Sequence, residues 1–261
     1  MSTKKSKPQV TKSSVKDTSP KVEQRDKISR VLAIKLRDDL TEMQKQIIDA
    51  ALNKDVKAII LDGAPGVGKS YVSIFCALQL LNAKRMGQII YVRSLVQAKD
   101  GETGFLTGDL AEKTYFYNQP LYQSLEEILP KHDIDYLIRD ERVITYPTSM
   151  LRSYNFHNSV VIAEEAQNMS WDSLFTVATR AGMYSKLFVI GDSVSQNDLG
   201  KKSGFPQFVD IFSDKESEEF GFKYFKLGSE CIVRSPFVKF LVQKVEQYRE
   251  RSKAGEWAPS E

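Results

Sequence analysis

LDGAPGVGKS, residues 61–70, joins the end of one apolar run to the start of another. Within it Gly63-Ala64-Pro65-Gly66-Val67-Gly68-Lys69-Ser70 fits G-x-x-x-x-G-K-[ST] at every position, between a predicted strand and a predicted helix. Each residue type has a physical job in holding phosphate. Glycines let the backbone curl until successive N–H groups face inward, and the helix N-terminus adds partial positive charge at the same point. Lys69 brings a full charge to β- and γ-phosphates, and Ser70 a hydroxyl to Mg²⁺, which keeps most of its ligands as water and phosphate. Tyr71, next on the helix, completes the set expected to contact the nucleotide. A bare connecting turn has no need of Lys-Ser at that offset.

Outward from the loop, apolar strands alternate with helices. LTEMQKQIIDAAL (Leu40 to Leu52) has helical spacing of Leu40, Met43, Ile47, Ala50 and Ala51, with Thr41 as N-cap. Strands are predicted at Lys57–Leu61, Gln88–Arg93, Arg142–Tyr146, Ser159–Ala163 and Lys186–Ile190. Helices are predicted at Lys69–Ala83, Pro120–Leu129, Trp171–Ala181 and Ser235–Arg251. Residues 94–118 resist assignment. Continuous apolar strands between helices imply an α/β protein, a mainly parallel sheet with helices on both faces.

A phosphate cradle hydrolyses nothing without an anchored metal and an oriented water. SVVIAEEAQN (159–168) places two carboxylates at the tip of a buried strand, Glu164 for the metal's water shell and Glu165 to polarise an attacking water. KLFVIGDSVSQ (186–196) ends another strand in Gly191-Asp192, with Gln196 following. That ending reads equally as a turn or as a sensor reaching the γ-phosphate through Gln196.

Composition narrows the classes. At 261 residues and 41% hydrophobic content the chain can bury one substantial core, and a net charge of +3 makes no strong case for a polyanionic partner. The charge is uneven, however: residues 1–30 hold nine basic and three acidic side chains, so the rest carries −3. We expect a disordered basic tail over 1–30, a globular domain over 31–251 and a flexible tail over 252–261. Two cysteines without metal-ligand spacing argue against disulfides and zinc. With no membrane-spanning or leader-like apolar stretch, the expected location is the cytoplasm.

GAPGVGKS, DGETGFLTGDLAEKTYFYNQPLYQSL (100–125), EEAQN, TRAG (179–182), GDSVSQNDL (191–199) and CIVRSPFV (231–238) follow in an order and spacing that resemble the PhoH-like family, phosphate-starvation-inducible ATPases. The resemblance covers residues 40–250 and implies a single RecA-like P-loop NTPase core related to superfamily 1 helicases, using ATP and Mg²⁺. It implies phosphate and Mg²⁺ roles for Lys69 and Ser70, the acidic pair at Glu164 and Glu165, and the helicase-like glutamine at Gln196. It further implies an adenine-reading glutamine at Gln44 and a γ-phosphate arginine at Arg234 or Arg180, in the same or a neighbouring subunit. The chain departs from the family pattern at Glu164, where aspartate is usual, at Ser94 in place of proline, and at Arg152-Ser153-Tyr154-Asn155 in place of R-G-R-T.

Helicases of the related type close two cores around one nucleotide, and about 230 ordered residues leave room for one. The expectation is therefore a homo-oligomeric ring, a hexamer, with an arginine given in trans. RNA or single-stranded DNA is the expected cargo, with Tyr115, Phe116 and Tyr117 as base-stacking candidates. The rival expectation is a nucleotide-dependent switch or assembly module with no nucleic-acid substrate.

Overall fold

The computed structural model describes residues 28–94, 110–193, 199–233 and 235–253. In chain order the elements are α1 (Glu42–Leu52), β1 (Ala58–Gly63), α2 (Lys69–Asn82), β2 (Gln88–Arg93), α3 (Leu110–Ile128), α4 (Lys131–Arg139) and β3 (Val143–Pro147). They continue with β4 (Ser159–Glu164), α5 (Trp171–Arg180), β5 (Lys186–Gly191), α6 (Phe205–Phe212), α7 (Lys215–Phe220), β6 (Phe222–Leu227) and α8 (Pro236–Lys253). The strands form one sheet in the order β3-β2-β4-β5-β1-β6, every pair parallel. This is the expected α/β class, a parallel sheet with helices on both faces.

The period of two along a strand sorts the apolar side chains onto two faces. Ile59, Leu61, Ile89, Tyr91, Val160, Ile162, Phe188 and Ile190 face a core closed by α1, α2, α3 and α4. Their alternates Ala58, Ile60, Ile90, Val92, Val161, Ala163, Leu187 and Val189 face a second core under α5 and α6. Covered on both sides, these strands can be apolar throughout, which is why they read as unbroken runs.

Local signals hold where they are strongest. Thr41 caps α1 in a capping box: its hydroxyl accepts from Gln44 N, and Gln44 Oε1 accepts from Thr41 N at 3.0 Å. Four elements have no counterpart in the sequence reading: α4, α6, α7 and the half-buried edge strand β6. Residues 110–118, irregular by pattern, belong to α3, which runs through Pro120. A proline most often opens a helix, and that preference misplaces the start. The packed chain also reaches further at both ends than expected. Ile28 is buried and Arg30 pairs with the buried Asp133 at 2.7 Å, so residues 28–30 belong to the domain, and α8 continues to Lys253. The remainder of both expected tails lies outside the described residues, as do residues 100–109 of the family-like segment. No helix among the described residues is long and apolar enough to cross a membrane.

Candidate active site

Because every strand runs the same way, the carboxyl ends of β1, β4 and β5 share one edge of the sheet, with β5 between the other two. Crevices at such edges are where ligands of open parallel sheets bind. The loop 63–70 leaves β1 there and feeds α2. Gly66 and Gly68 adopt φ of +88° and +81°, the left-handed region that favours glycine. A side chain on Gly68 would also run into the Gln44 amide, and one on Gly63 into the Leu227 carbonyl of β6. Lys69 Nζ folds back over the loop, donating to Gly63 O and to Ala64 O at 3.0 Å. Burial lowers the Lys69 pKa, against the opposing pull of Glu164, Asp192, Glu165 and Asp62.

The two glutamates part company at the end of β4. Glu164 is buried, and Ser70 Oγ donates to its Oε1 at 2.6 Å while its Oε2 has no hydrogen-bond partner among the described residues. Burial pushes its carboxyl up to about 7; Ser70, Lys69 and Arg93 oppose that rise, and Glu165 adds to it. A buried carboxylate oxygen without a donor is costly unless a cation completes it, so this pair fits Mg²⁺. Ser70 and Glu164 would hold the ion, which would supply positive charge against the phosphate oxygens. Glu165 sits at φ +54°, a left-handed conformation costing a side-chain-bearing residue about 1–2 kcal/mol. Its carboxylate meets Gln167 Nε2, which donates to Glu165 Oε2. Gln167 Oε1 in turn accepts from Asp192 N at 3.1 Å, so one buried amide ties the end of β4 to the end of β5.

A second clamp ties β5 to β1 and β6. Asp62, buried at the end of β1, accepts from Ser193 N at 2.9 Å, Ser193 Oγ at 2.7 Å and Tyr224 Oη at 3.2 Å. Burial beside that carboxylate raises the Tyr224 phenol to about 12. The cleft so framed has a volume of about 320 Å³ and brings together Gly66, Gly68, Lys69, Ser70, Tyr71, Glu164, Glu165 and Asp192. Arg37 closes one side, its guanidinium 5.4 Å from the Tyr71 ring centre and bonded to Asp39, while its backbone N donates to Tyr71 Oη.

Other residues singled out from sequence land differently. Gln44 packs behind the loop with both ends of its amide engaged, Oε1 by Thr41 N and Nε2 by Val67 O at 3.0 Å. Arg180 is not brought to the cleft. It ends α5 at the opposite edge of the sheet, where its carbonyl accepts from Phe156 N and its Nη1 reaches Asn155 Oδ1 at 3.4 Å. Gln196 and Arg234 lie outside the described residues, as do the side chains of Tyr115, Phe116 and Tyr117; Val233, just before Arg234, donates to Gly66 O. Sequence reasoning assigned no role to Gln167, Asp62 or Arg93, the last in register with Glu164 across β2 and β4. Asp62 and Gln167 did leave a signal, polar residues directly after buried strands, but their partners lie on other strands.

The family model for PhoH-like protein matches residues 37–246. A PhoH-like protein of Synechocystis is 33% identical over 209 residues, 79% of this chain and 61% of the relative. Protein PhoH of Escherichia coli is 35% identical over 198 residues, 74% of this chain and 54% of the relative. The chain thus spans between one half and two thirds of the length of these relatives. Among solved structures, the Sulfolobus solfataricus SWI2/SNF2 ATPase core in complex with dsDNA aligns with a TM-score of 0.43 at 14% identity, covering 76% of this chain and 46% of that one. With the loop, the acidic pair and the strand-end residues of the matched region gathered in one cleft, the chain belongs to the PhoH-like family of P-loop NTPases.

Proposed function

We propose that the chain is a Mg²⁺-dependent cytoplasmic ATPase that works as a homo-oligomeric ring, a hexamer, and couples hydrolysis to binding or remodelling RNA or single-stranded DNA. The observation that carries the ATPase part of this reading is the Ser70–Glu164 bond at 2.6 Å beside a Glu165 held separately by Gln167; the ring and the nucleic-acid cargo rest on the family resemblance. That arrangement separates two tasks. Ser70 and Glu164 suit the metal, and Glu165 suits proton acceptance from an attacking water. Lys69 and the loop N–H groups hold the phosphates, and Gln196 senses the γ-phosphate. Gln44 holds the loop through Val67 and reads adenine by exchanging one of its present bonds. An arginine on the γ-phosphate comes from a neighbouring copy: Arg180 sits at the far edge of its own sheet, so it can serve only another subunit's cleft, and Arg234 is the second candidate.

ATPase rates with and without RNA or single-stranded DNA test the reading, in wild type, Lys69→Ala and Glu165→Gln. Both variants should lose about a hundredfold or more, and nucleic acid should raise the wild-type rate. Undiminished turnover in both overturns the site. If nucleic acid neither binds at low salt nor stimulates, the switch reading replaces the cargo. Turnover by a strict monomer in sedimentation overturns the ring, and recovery of activity on mixing Lys69→Ala with Arg180→Ala subunits supports the arginine in trans.

A further inference from the structure

Opposite the phosphate loop, at the amino edge of the sheet, a groove of about 960 Å³ passes the first residues of β1, β5 and β6. Lys54, Lys57, Lys84, Arg85 and Lys186 line it, and no Asp or Glu is among its described lining residues. Two of these cations serve helix ends: Arg85 bonds Leu52 O, and Lys186 Nζ bonds Ala51 O and Asn53 O, where the carbonyls ending α1 favour positive charge. Lys54, Lys57 and Lys84 make no ion pair among the described residues.

Aromatic rings stand beside the lysines. Tyr184 is 73% exposed and Phe220 64%, with Lys57 Nζ lying 3.8 Å from the Phe220 ring centre. Lys84 and Tyr184 hold φ of +54° and +60°, where glycine would be at ease. At both positions a large side chain is kept against the backbone's preference, and both side chains line this groove.

We propose that the groove binds single-stranded nucleic acid, with Lys54, Lys57 and Lys84 on phosphates and Tyr184 and Phe220 stacking on bases. Cations without carboxylates track a phosphodiester backbone, and exposed rings accept any base, the combination that single strands require. The inference deepens the proposed function and rests on it for the choice of polymer. Two helices link the sites: α2 runs from Lys69 in the loop to Asn82, just before Lys84, and α1 runs from the loop-bound Gln44 to the carbonyls held by Lys186.

The test is fluorescence anisotropy of the full chain with labelled uridine and thymidine single strands and a duplex, each about 20 units long, between about 50 and 200 mM salt. Lys54→Glu/Lys57→Glu should weaken single-strand binding tenfold or more and flatten its salt slope by about 0.7 for each phosphate no longer neutralised. Tyr184→Gly should weaken single-strand binding about tenfold, spare the duplex, and leave Tm unchanged or raised, because glycine relieves the left-handed backbone. If wild type binds and both variants bind equally well, the groove is overturned while the proposed function stands. If wild type binds no oligonucleotide at low salt, the groove and the nucleic-acid cargo fail together, and the basal ATPase rate reports separately on the chemistry. Charge reversal that dissociates the oligomer but leaves oligonucleotide binding intact makes the groove a seat for another copy and overturns the proposal.

Discussion

The two edges of the sheet are opposites in charge. At the carboxyl edge Asp62, Glu164, Glu165 and Asp192 all act on the charge of Lys69; at the amino edge five cations line a groove with no carboxylate among its described lining residues. Each edge holds a group that burial moves toward neutrality: Glu164 up to about 7 at the one, and Lys186 down to about 8, with help from Arg85, at the other. An all-parallel sheet makes this division possible. Every loop after a strand falls on one edge and every loop before a strand on the other, so chemistry placed in one set of loops stays about a strand's length, roughly 20 Å, from the other.

The comparison breaks first, and most visibly, through turnover. Lys69→Ala and Glu165→Gln should cut the ATPase rate about a hundredfold or more, while Lys54→Glu/Lys57→Glu should leave the rate without nucleic acid within about twofold. A groove variant as inactive as the loop variants would show the edges to be one functional unit.

Glu164→Gln sharpens the contrast by setting function against stability. Glu164 is protonated more readily folded than unfolded, so the wild type loses stability as pH rises from about 4.5 to about 7. The glutamine variant should therefore be more stable than wild type at pH 8, by at most about 3 kcal/mol, and equal to it at pH 4, while losing metal-dependent turnover. Thermal melts at the two pH values, without metal, check the sign.

Asp62→Ala probes the clamp of the carboxyl edge, leaving Ser193 N, Ser193 Oγ and Tyr224 Oη without their acceptor. We expect a loss of about 1–3 kcal/mol in urea unfolding, against about 1 kcal/mol for Tyr224→Phe, which removes a single bond. The amino edge has its own pH-dependent counterpart to Glu164. Lys186 gives up its proton more easily folded than unfolded, so its contribution to stability should grow as pH rises from about 8 to about 10.5. Wild type should gain stability relative to Lys186→Met as pH rises through that window and be parallel to it outside; a flat difference would mean that Lys186 titrates alike in both states.

Much of the carboxyl edge is legible without the fold, because its chemistry is local. Gly63 to Ser70 declare their purpose in eight consecutive residues, and Glu164-Glu165 follow a run too apolar to be anything but a buried strand. Gln167 and Asp62 stand in plain view without a reading, since each is defined by a partner on another strand, Asp192 for one and Ser193 with Tyr224 for the other. Tyr224 belongs to β6, whose mixed pattern FKYFKL carries no strong strand signal until β1 supplies its ladder. The amino-edge groove is invisible in the sequence for the same reason, being assembled from short pieces around residues 54, 84, 184 and 220.

The sequence by itself determined that a loop of phosphate-binding pattern opens onto a helix N-terminus, that two carboxylates follow a buried strand, and that the sheet is parallel with helices on both faces. Short-range periodicity and a contiguous motif carry that information, and neither depends on which strands become neighbours. Tertiary structure alone decided that β5 lies between β1 and β4, so that Gln167 and Asp62 lock three strand ends into one cleft. It also decided that Arg180, one helix away from Glu164 along the chain, ends at the far edge, because α5 must run back against β4 before β5 can begin parallel to it.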